Sequence, residues 1–110
     1  MKLSEQQALF AQDAAKLIIH IGATPGYSCT LGEAWRHPMV AEYNATAGAG
    51  IKNSLHIERL AIDINLFKDG NYITSTEAFR AFGEFWESLD PMNRWGGRFN
   101  DGNHFERRKA

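Results

Sequence analysis

The sequence predicts an α+β fold in which helices pack on a small antiparallel sheet. Residues 4–21 and 74–89 carry apolar side chains at helical spacing, which indicates two amphipathic helices. Residues 61–67 alternate between apolar and other side chains, as a half-buried strand does. Helices and strands are mixed along the chain, and the loops between them are short and irregular.

Length and composition indicate a single domain over residues 1–110. The chain has 110 residues, 44% of them hydrophobic, which is typical of one soluble globular domain. A net charge of −1 gives no global electrostatic reason to bind nucleic acid. No segment approaches the ~20 apolar residues that a helix needs to span a bilayer. We expect a monomer that neither binds nucleic acid nor inserts into a membrane.

The first helix is predicted over residues 4–21. Ser4 followed by Gln7 resembles a capping box at its start. Gly22 and the turn residues 24–26 are expected to end it. Its apolar stripe consists of Phe10, Ala14, Leu17, Ile18 and Ile21.

Two strands and a short helix are predicted before the second amphipathic helix. Residues 27–36 have β-branched and aromatic content with partial alternation, which favours a strand. A short helix is predicted from Pro38 to about Thr46, with proline in its first turn. In the strand over residues 61–67, the apolar side chains of Ile62, Ile64 and Leu66 are expected to face one way.

The last part of the chain is predicted to contain a helix and a final strand. Residues 68–71 (KDGN) are a strong turn signal. Thr74 with Glu77 resembles a capping box that opens the helix over residues 74–89, and Asp90-Pro91 ends it. Residues 95–105 form a glycine-rich loop that leads into a short final strand.

Two histidines and a carboxylate stand out as candidate metal ligands. His56 and Asp63 are seven residues apart, which on a helix would separate them by about 10.5 Å. A loop that folds onto the start of a strand brings such a pair together, and His104 is a third candidate. Two histidines and one carboxylate are a common catalytic zinc set that leaves a fourth position for water. On spacing alone, scattered surface polar residues stay an open alternative.

Peptide hydrolysis at a zinc ion also needs a separate carboxylate. Zinc lowers the pKa of a bound water to near 7 and polarises a substrate carbonyl, and a general base then takes the proton of the water. Asp101, three residues before His104, is the best-placed candidate. The H-E-x-x-H pattern of zincins is absent from the sequence, which excludes that class.

These segments resemble the peptidase M15 family, the D-alanyl-D-alanine carboxypeptidase and VanY-like group. The similarity lies in SLH…AID at residues 54–63 and in WGG…DGNHFE at residues 95–106. The family pattern is S-x-H-x6-D with a later [ED]-x-x-H, and the match extends from about residue 27 to residue 106. The resemblance implies the fold that this family shares with the Hedgehog signalling domain. It is closest to short phage endolysins that act as L-alanyl-D-glutamate peptidases.

The resemblance also implies roles for individual residues. His56, Asp63 and His104 would be the zinc ligands, and Asp101 would be the catalytic base. The carboxypeptidases of the family tend to have Glu at the base position, whereas the phage endopeptidase branch uses Asp. Arg59 stands where the family usually has glycine, and a large cation there is expected to alter loop shape or substrate choice.

Three further residues receive roles from the resemblance. Arg36 fits the place of an arginine upstream of the first histidine, where it would bind a substrate carboxylate or the developing oxyanion. The alternative for Arg36 is an exposed ion pair with Glu33 or Glu42. Ser54 would support a ligand or loop beside the metal by hydrogen bonding. Trp95 would help wall the substrate cleft, with a place in the core as its alternative.

The implied function is that of a zinc-dependent peptidoglycan peptidase of phage or prophage type. Its partner would be the peptide stem of the bacterial cell wall, cut between L-alanine and D-glutamate. One alternative is a D,D-carboxypeptidase acting on D-Ala-D-Ala, and another is a non-catalytic zinc-bearing binding module. We expect such a protein to be made in the host cytoplasm without a signal peptide and to act on the wall after release.

Overall fold

The computed structural model describes residues 1–35, 37–39 and 55–109 and confirms the α+β class. The first helix and the neighbouring strands are α1 (Leu3–Ala23), β1 (Tyr27–Leu31), β2 (Ala61–Lys68) and β3 (Asn71–Ile73). They are followed by a 3-10 helix (Thr76–Phe79), α2 (Arg80–Leu89), β4 (Asn93–Trp95), a second 3-10 helix (Gly96–Phe99) and β5 (His104–Arg107).

The strands form an antiparallel sheet with β2 at its centre. The strand order is β1-β2-β5-β4, and β3 also pairs with β2. One edge of β2 pairs with β1, while the other edge pairs first with β5 and then with β3. In this register, Asp63 of β2 lies directly opposite His104 of β5. The central strand therefore connects the two ends of the described sheet.

Both helices pack on one face of the sheet and enclose the hydrophobic core. Ile62, Ile64 and Leu66 of β2 are buried in this core, as the alternation in the sequence predicts. Side chains of successive strand residues point to opposite faces, so Asp63 and its alternate neighbours face away from the helices. The helices and the last strands contribute Phe10, Leu17, Ile21, Phe82, Trp86, Trp95 and Phe105 to the same core.

The predicted first helix is confirmed, but its start differs from the prediction. It begins at Leu3, and the backbone N–H of Lys2 donates to Oε1 of Glu5 at 3.1 Å. Ser4 therefore lies inside the first turn, and the predicted Ser4–Gln7 capping box is wrong. Among the described helices, neither combines the length and apolar character needed to cross a membrane.

The second helical segment also begins differently. Ser75, not Thr74, caps it, because the Ser75 hydroxyl accepts a hydrogen bond from the backbone N–H three residues later. Glu77 instead forms an ion pair with Arg80 at 2.9 Å. A 3-10 turn precedes α2, and the helix ends at Leu89 before Asp90-Pro91, as predicted.

The strand predictions need correction at β1, β3 and β4. β1 ends at Leu31, five residues before the predicted end of the strand over residues 27–36. Two strands of three residues each, β3 and β4, were not predicted, because so short a segment carries too little periodicity to be recognised. The helix predicted from Pro38 to about Thr46 lies mostly outside the described residues.

Trp95 connects α2 and β4 to the loop before β5. Its side chain is completely buried, and its Nε1–H donates to the carbonyl of Gly102 at 2.7 Å. Gly83 of α2 and Gly97 of the second 3-10 helix both lie so close to the indole that a Cβ on either would overlap ring carbons. The absence of side chains at these two glycines therefore allows the indole to reach the carbonyl that it binds.

We predict that Gly83→Ala destabilises the protein by about 1–3 kcal/mol, because a methyl group would overpack the indole of Trp95. Urea unfolding monitored by circular dichroism measures this change. Gly22→Ala in α1 is the matched control, since a Cβ there has no neighbour within 4 Å. Alanine is the better helix former, so the control should leave stability unchanged or raise it by up to about 1 kcal/mol. Equal effects of the two substitutions would contradict the packing argument.

Candidate metal centre

His56, Asp63 and His104 converge on one point. Each of the three offers one ligand atom, and these atoms all lie within 4.8 Å of one another. Nε2 of His56 and Nδ1 of His104 are each 3.3 Å from Oδ1 of Asp63. The structure thus brings together the three residues that the sequence singled out as metal ligands.

Two of the three residues meet because of the strand register. Asp63 and His104 are directly opposite partners of β2 and β5. Opposite residues of an antiparallel pair have Cβ atoms about 4.5–5.5 Å apart and project from the same face. The aspartate and the histidine are therefore brought close by backbone pairing itself, and they project away from the helices.

The third residue, His56, comes from the turn at residues 55–59, just before β2. The backbone N–H of Leu60 closes this turn on the carbonyl of Leu55 at 3.0 Å. Arg59 has φ 57°, in the left-handed region where glycine is favoured. This conformation gives a physical reason for the glycine that the family pattern has at the position of Arg59. The turn directs the buried His56 ring toward His104, with 5.1 Å between ring centroids.

The spacing of the three donors fits a small tetrahedral cation such as zinc. Bonds of about 2.0–2.2 Å in tetrahedral geometry place neighbouring ligand atoms roughly 3.3 Å apart. The two separations to Asp63 Oδ1 are both 3.3 Å, and all three ligand atoms lie within 4.8 Å of one another. Imidazole nitrogens and a carboxylate oxygen are donors that zinc accepts, and three protein donors leave one position for water or substrate.

Electrostatics at the site favour a positive charge between the donors. Burial alone would raise the pKa of Asp63, but hydrogen bonds and charge from His104 and His56 lower it to about 2. Burial alone would lower the pKa of His104, but hydrogen bonds with Asp63 and Glu106 raise it to about 9. Without metal, a proton on the His104 ring therefore faces the Asp63 carboxylate at neutral pH, and a bound cation would take its place.

A second carboxylate lies behind His104. Oε1 of Glu106 is 2.7 Å from Nε2 of His104. Oε2 of Glu106 accepts from Nη2 of Arg94 at 2.7 Å and from its Nε at 3.0 Å. Burial would raise the pKa of Glu106, but these hydrogen bonds lower it. The sequence analysis missed this residue, although alternation along β5 puts residues 104 and 106 on one face.

Asp101 lies at the exposed side of the site. Its Oδ2 is 4.0 Å from Nδ1 of His104, and 52% of its side-chain surface is accessible to solvent. Two backbone hydrogen bonds hold this part of the loop, from Asp101 N–H to the Gly96 carbonyl at 2.8 Å and from His104 N–H to the Asp101 carbonyl at 3.1 Å. The Asp101 carboxylate therefore lies close to the candidate ligand His104 and is also accessible to solvent.

Glu33 reaches the site from the chain that follows β1. The backbone N–H of Asp63 donates to the Glu33 carbonyl at 2.8 Å, which extends the pairing between β1 and β2. Oε1 of Glu33 lies 3.9 Å from Nδ1 of His56. Sequence reasoning considered Glu33 only as an ion-pair partner of Arg36, so its place beside a candidate ligand was missed.

The remaining predicted site residues have different outcomes. The predicted role of Trp95 as a wall of the cleft is wrong, because its side chain is fully buried and the core alternative applies. Arg36 and Ser54 lie outside the described residues, so their roles stay predictions.

Trp35 is an exposed aromatic residue that the sequence analysis did not single out. Its Nε1–H donates to the Ile57 carbonyl at 3.1 Å, which fixes its ring against the turn that carries His56.

The chain is similar to known proteins in sequence and in fold. A family model of M15 peptidases, described as D-alanyl-D-alanine carboxypeptidase, matches residues 47–107, which is more than half of the chain. No curated protein matches the chain. The crystal structure of the Serratia marcescens L-Ala D-Glu endopeptidase ChiX is similar with a TM-score of 0.67 and 17% identity, over 84% of this chain and 78% of ChiX. With the family pattern and the fold in agreement, the chain belongs to the M15 peptidase family.

Proposed function

We propose that this M15 peptidase is a zinc-dependent peptidoglycan hydrolase that cleaves the L-alanyl-D-glutamate bond of the wall peptide stem. The observation that carries the proposal is the convergence of His56, Asp63 and His104, with both histidine nitrogens 3.3 Å from one carboxylate oxygen. Asp101, on the solvent side of this group, supplies the additional carboxylate that peptide hydrolysis requires.

In this proposal, four described residues and Arg36 would divide the work of hydrolysis. His56, Asp63 and His104 would hold the zinc ion, which when bound supplies the Lewis acidity that polarises a carbonyl and acidifies water. Asp101 Oδ2 would accept a proton from the attacking water and donate it to the leaving amine. Arg36, by the family resemblance, would bind a substrate carboxylate or the developing oxyanion.

Two arguments support the choice of bond. The base is aspartate, which resembles the phage endopeptidase branch of the family and not its carboxypeptidases. The similar structure, ChiX, is itself described as an L-Ala D-Glu endopeptidase. We further propose a phage or prophage origin, with synthesis in the host cytoplasm and action on the wall after release, as the resemblance to short endolysins implies.

Two other functions compete with this proposal. The description of the matching family model favours a D,D-carboxypeptidase, which applies the same metal chemistry to D-Ala-D-Ala. A non-catalytic zinc-bearing module would need the three metal ligands but no base. The half-exposed Asp101 carboxylate, 4.0 Å from His104 Nδ1, argues against the non-catalytic alternative.

Zinc dependence is tested by metal content together with activity. We predict about one zinc per chain in the purified protein, because three protein donors complete one catalytic site. Release of wall peptides should stop after chelation and return when zinc is added back. Metal analysis and a turbidity assay on purified cell walls measure both effects. A protein that stays fully active after its metal has been removed would contradict the proposed mechanism.

The role of Asp101 is tested by Asp101→Asn. We predict that this variant keeps its zinc and loses about 10²–10⁴-fold in turnover, since that is the usual contribution of a general base. The matched control is Asp69→Asn at the β2–β3 turn, about 20 Å from Asp63 along the strand. The control should retain wild-type activity and zinc content. Undiminished turnover of Asp101→Asn would remove this residue from the mechanism.

The scissile bond is read from the products of digested muropeptides. We predict a new N-terminal D-glutamate, identified by mass spectrometry after labelling of free amines. Release of free D-alanine would identify the D,D-carboxypeptidase instead. Zinc bound with neither product formed would favour the non-catalytic module.

A further inference from the structure

We propose that Glu106 is a positioning residue, which fixes the tautomer and orientation of His104 so that Nδ1 is presented to the metal. Arg94 in turn holds the Glu106 carboxylate in place. This inference rests on the zinc site of the proposed function, and it adds two residues to that site to which the family resemblance gave no role.

The first argument is the hydrogen-bond geometry around Glu106. Its side chain is buried, yet both of its oxygens have polar partners. Oε1 is 2.7 Å from Nε2 of His104, and Oε2 accepts from Nη2 and Nε of Arg94 at 2.7 and 3.0 Å. A buried carboxylate is unfavourable unless it is paired, and the arginine supplies the compensating charge.

The second argument is the chemistry of the imidazole ring. A neutral histidine carries a proton on one nitrogen and a lone pair on the other. An ionised carboxylate only accepts hydrogen bonds, so Glu106 requires the proton of His104 to be on Nε2. The lone pair is then on Nδ1, the nitrogen that lies 3.3 Å from Asp63 Oδ1 among the candidate ligands. A carboxylate on the remote nitrogen of a ligating histidine also raises the basicity of that ligand.

The third argument is that backbone pairing builds the arrangement. Glu106 follows His104 by two residues on β5, so both side chains project from one face. Arg94 of β4 is the direct register partner of Glu106. The guanidinium of Arg94 also lies over the Phe99 ring, and the rings of Phe99 and His104 are in a T-shaped arrangement with 5.7 Å between centroids. The histidine ring is thus held both at its remote nitrogen and at its side.

A second glutamate–arginine pair provides a comparison within the same chain. Oε1 of Glu87 accepts from Nη2 of Arg98 at 2.7 Å, and Oε2 accepts from the Trp95 backbone N–H at 3.1 Å. The two arginine side chains are equally exposed, at 45%. The two pairs differ in their surroundings, because the Glu87 pair borders the core tryptophan and the Glu106 pair borders a candidate ligand. The Glu87 side chain is also more exposed, at 24% against 5% for Glu106. Loss of an ion pair as such can therefore be separated from loss of the contact to His104.

The test is the zinc dissociation constant, measured by competition with a chromophoric chelator. We expect Glu106→Gln to weaken zinc binding by about 10- to 100-fold, as is typical when the partner of a ligating histidine is changed. Glu87→Gln should bind zinc within about twofold of the wild type. Urea unfolding of both variants in the metal-free state identifies any general loss of stability, which would not produce such a selective effect on metal binding.

Spectroscopy gives a second readout that a merely structural ion pair would not affect. In the zinc-loaded wild type, the Nε2 proton of His104 should give a far-downfield NMR resonance, owing to its short hydrogen bond to a carboxylate. Glu106→Gln should move this resonance upfield, while Glu87→Gln should leave it in place. Unchanged zinc affinity together with an unchanged resonance in Glu106→Gln would overturn the inference.

A second variant keeps the inference testable if Glu106→Gln does not fold. Arg94 is partly exposed, so Arg94→Met should be tolerated, with Arg98→Met as its control. We expect weaker zinc binding only for Arg94→Met, and equal affinities for the two variants would overturn the inference. A wild type that binds no zinc would refute the proposed function and this inference together. Zinc binding that depends on Glu106, in a protein without wall hydrolysis, would refute the proposed function alone.

Discussion

The antiparallel register between β2 and β5 is the constraint on which the rest of the site depends. It places Asp63 opposite His104 and, on the other face, Ile62 opposite Phe105 in the core. Because strand side chains alternate, a slip of one residue would turn the apolar side chains outward and the candidate ligands inward. Burial of the apolar set is favourable by about 25 cal/mol for each Å² of apolar surface, so the core opposes such a slip. The packing of the helices on one face of the sheet thereby fixes the candidate metal ligands on the other face.

Trp95 links the hydrophobic core to the loop before β5. Its indole packs between Gly83 and Gly97, and its Nε1–H holds the carbonyl of Gly102. Gly102 follows Asp101 directly in the chain, so the loop that presents the candidate base is hydrogen-bonded to a fully buried, closely packed side chain. Rigid support of this kind is what a catalytic group needs, since small displacements reduce its efficiency. Trp95, which was predicted to line the cleft, thus supports the loop that carries Asp101 from within the core.

The sequence predicted the α+β class and the strand that lies at the centre of the sheet, because each leaves a local pattern of residue types and spacings. The convergence of the three candidate donors was expected only from the family resemblance, since their spacing alone left scattered surface residues as an alternative. Other features that depend on pairing between distant segments were not visible. Arg94 and Glu106 become neighbours only through the register of β4 and β5, and β4 is too short to show alternation. The burial of Trp95 depends on glycines in two other elements. Glu106 itself follows His104 at strand spacing, so the predicted final strand already contained a signal for it.

The position of His104 on β5 has a consequence for the order of folding. Asp63 and His104 are far apart in the chain, and loop-closure entropy opposes their meeting until other contacts compensate for it. The turn before β2 brings His56 and Asp63 together locally. The pairing of β5 brings in His104, its partner Glu106 and the candidate base Asp101 as one unit. We therefore expect the candidate centre to assemble late in folding, when β5 docks against β2.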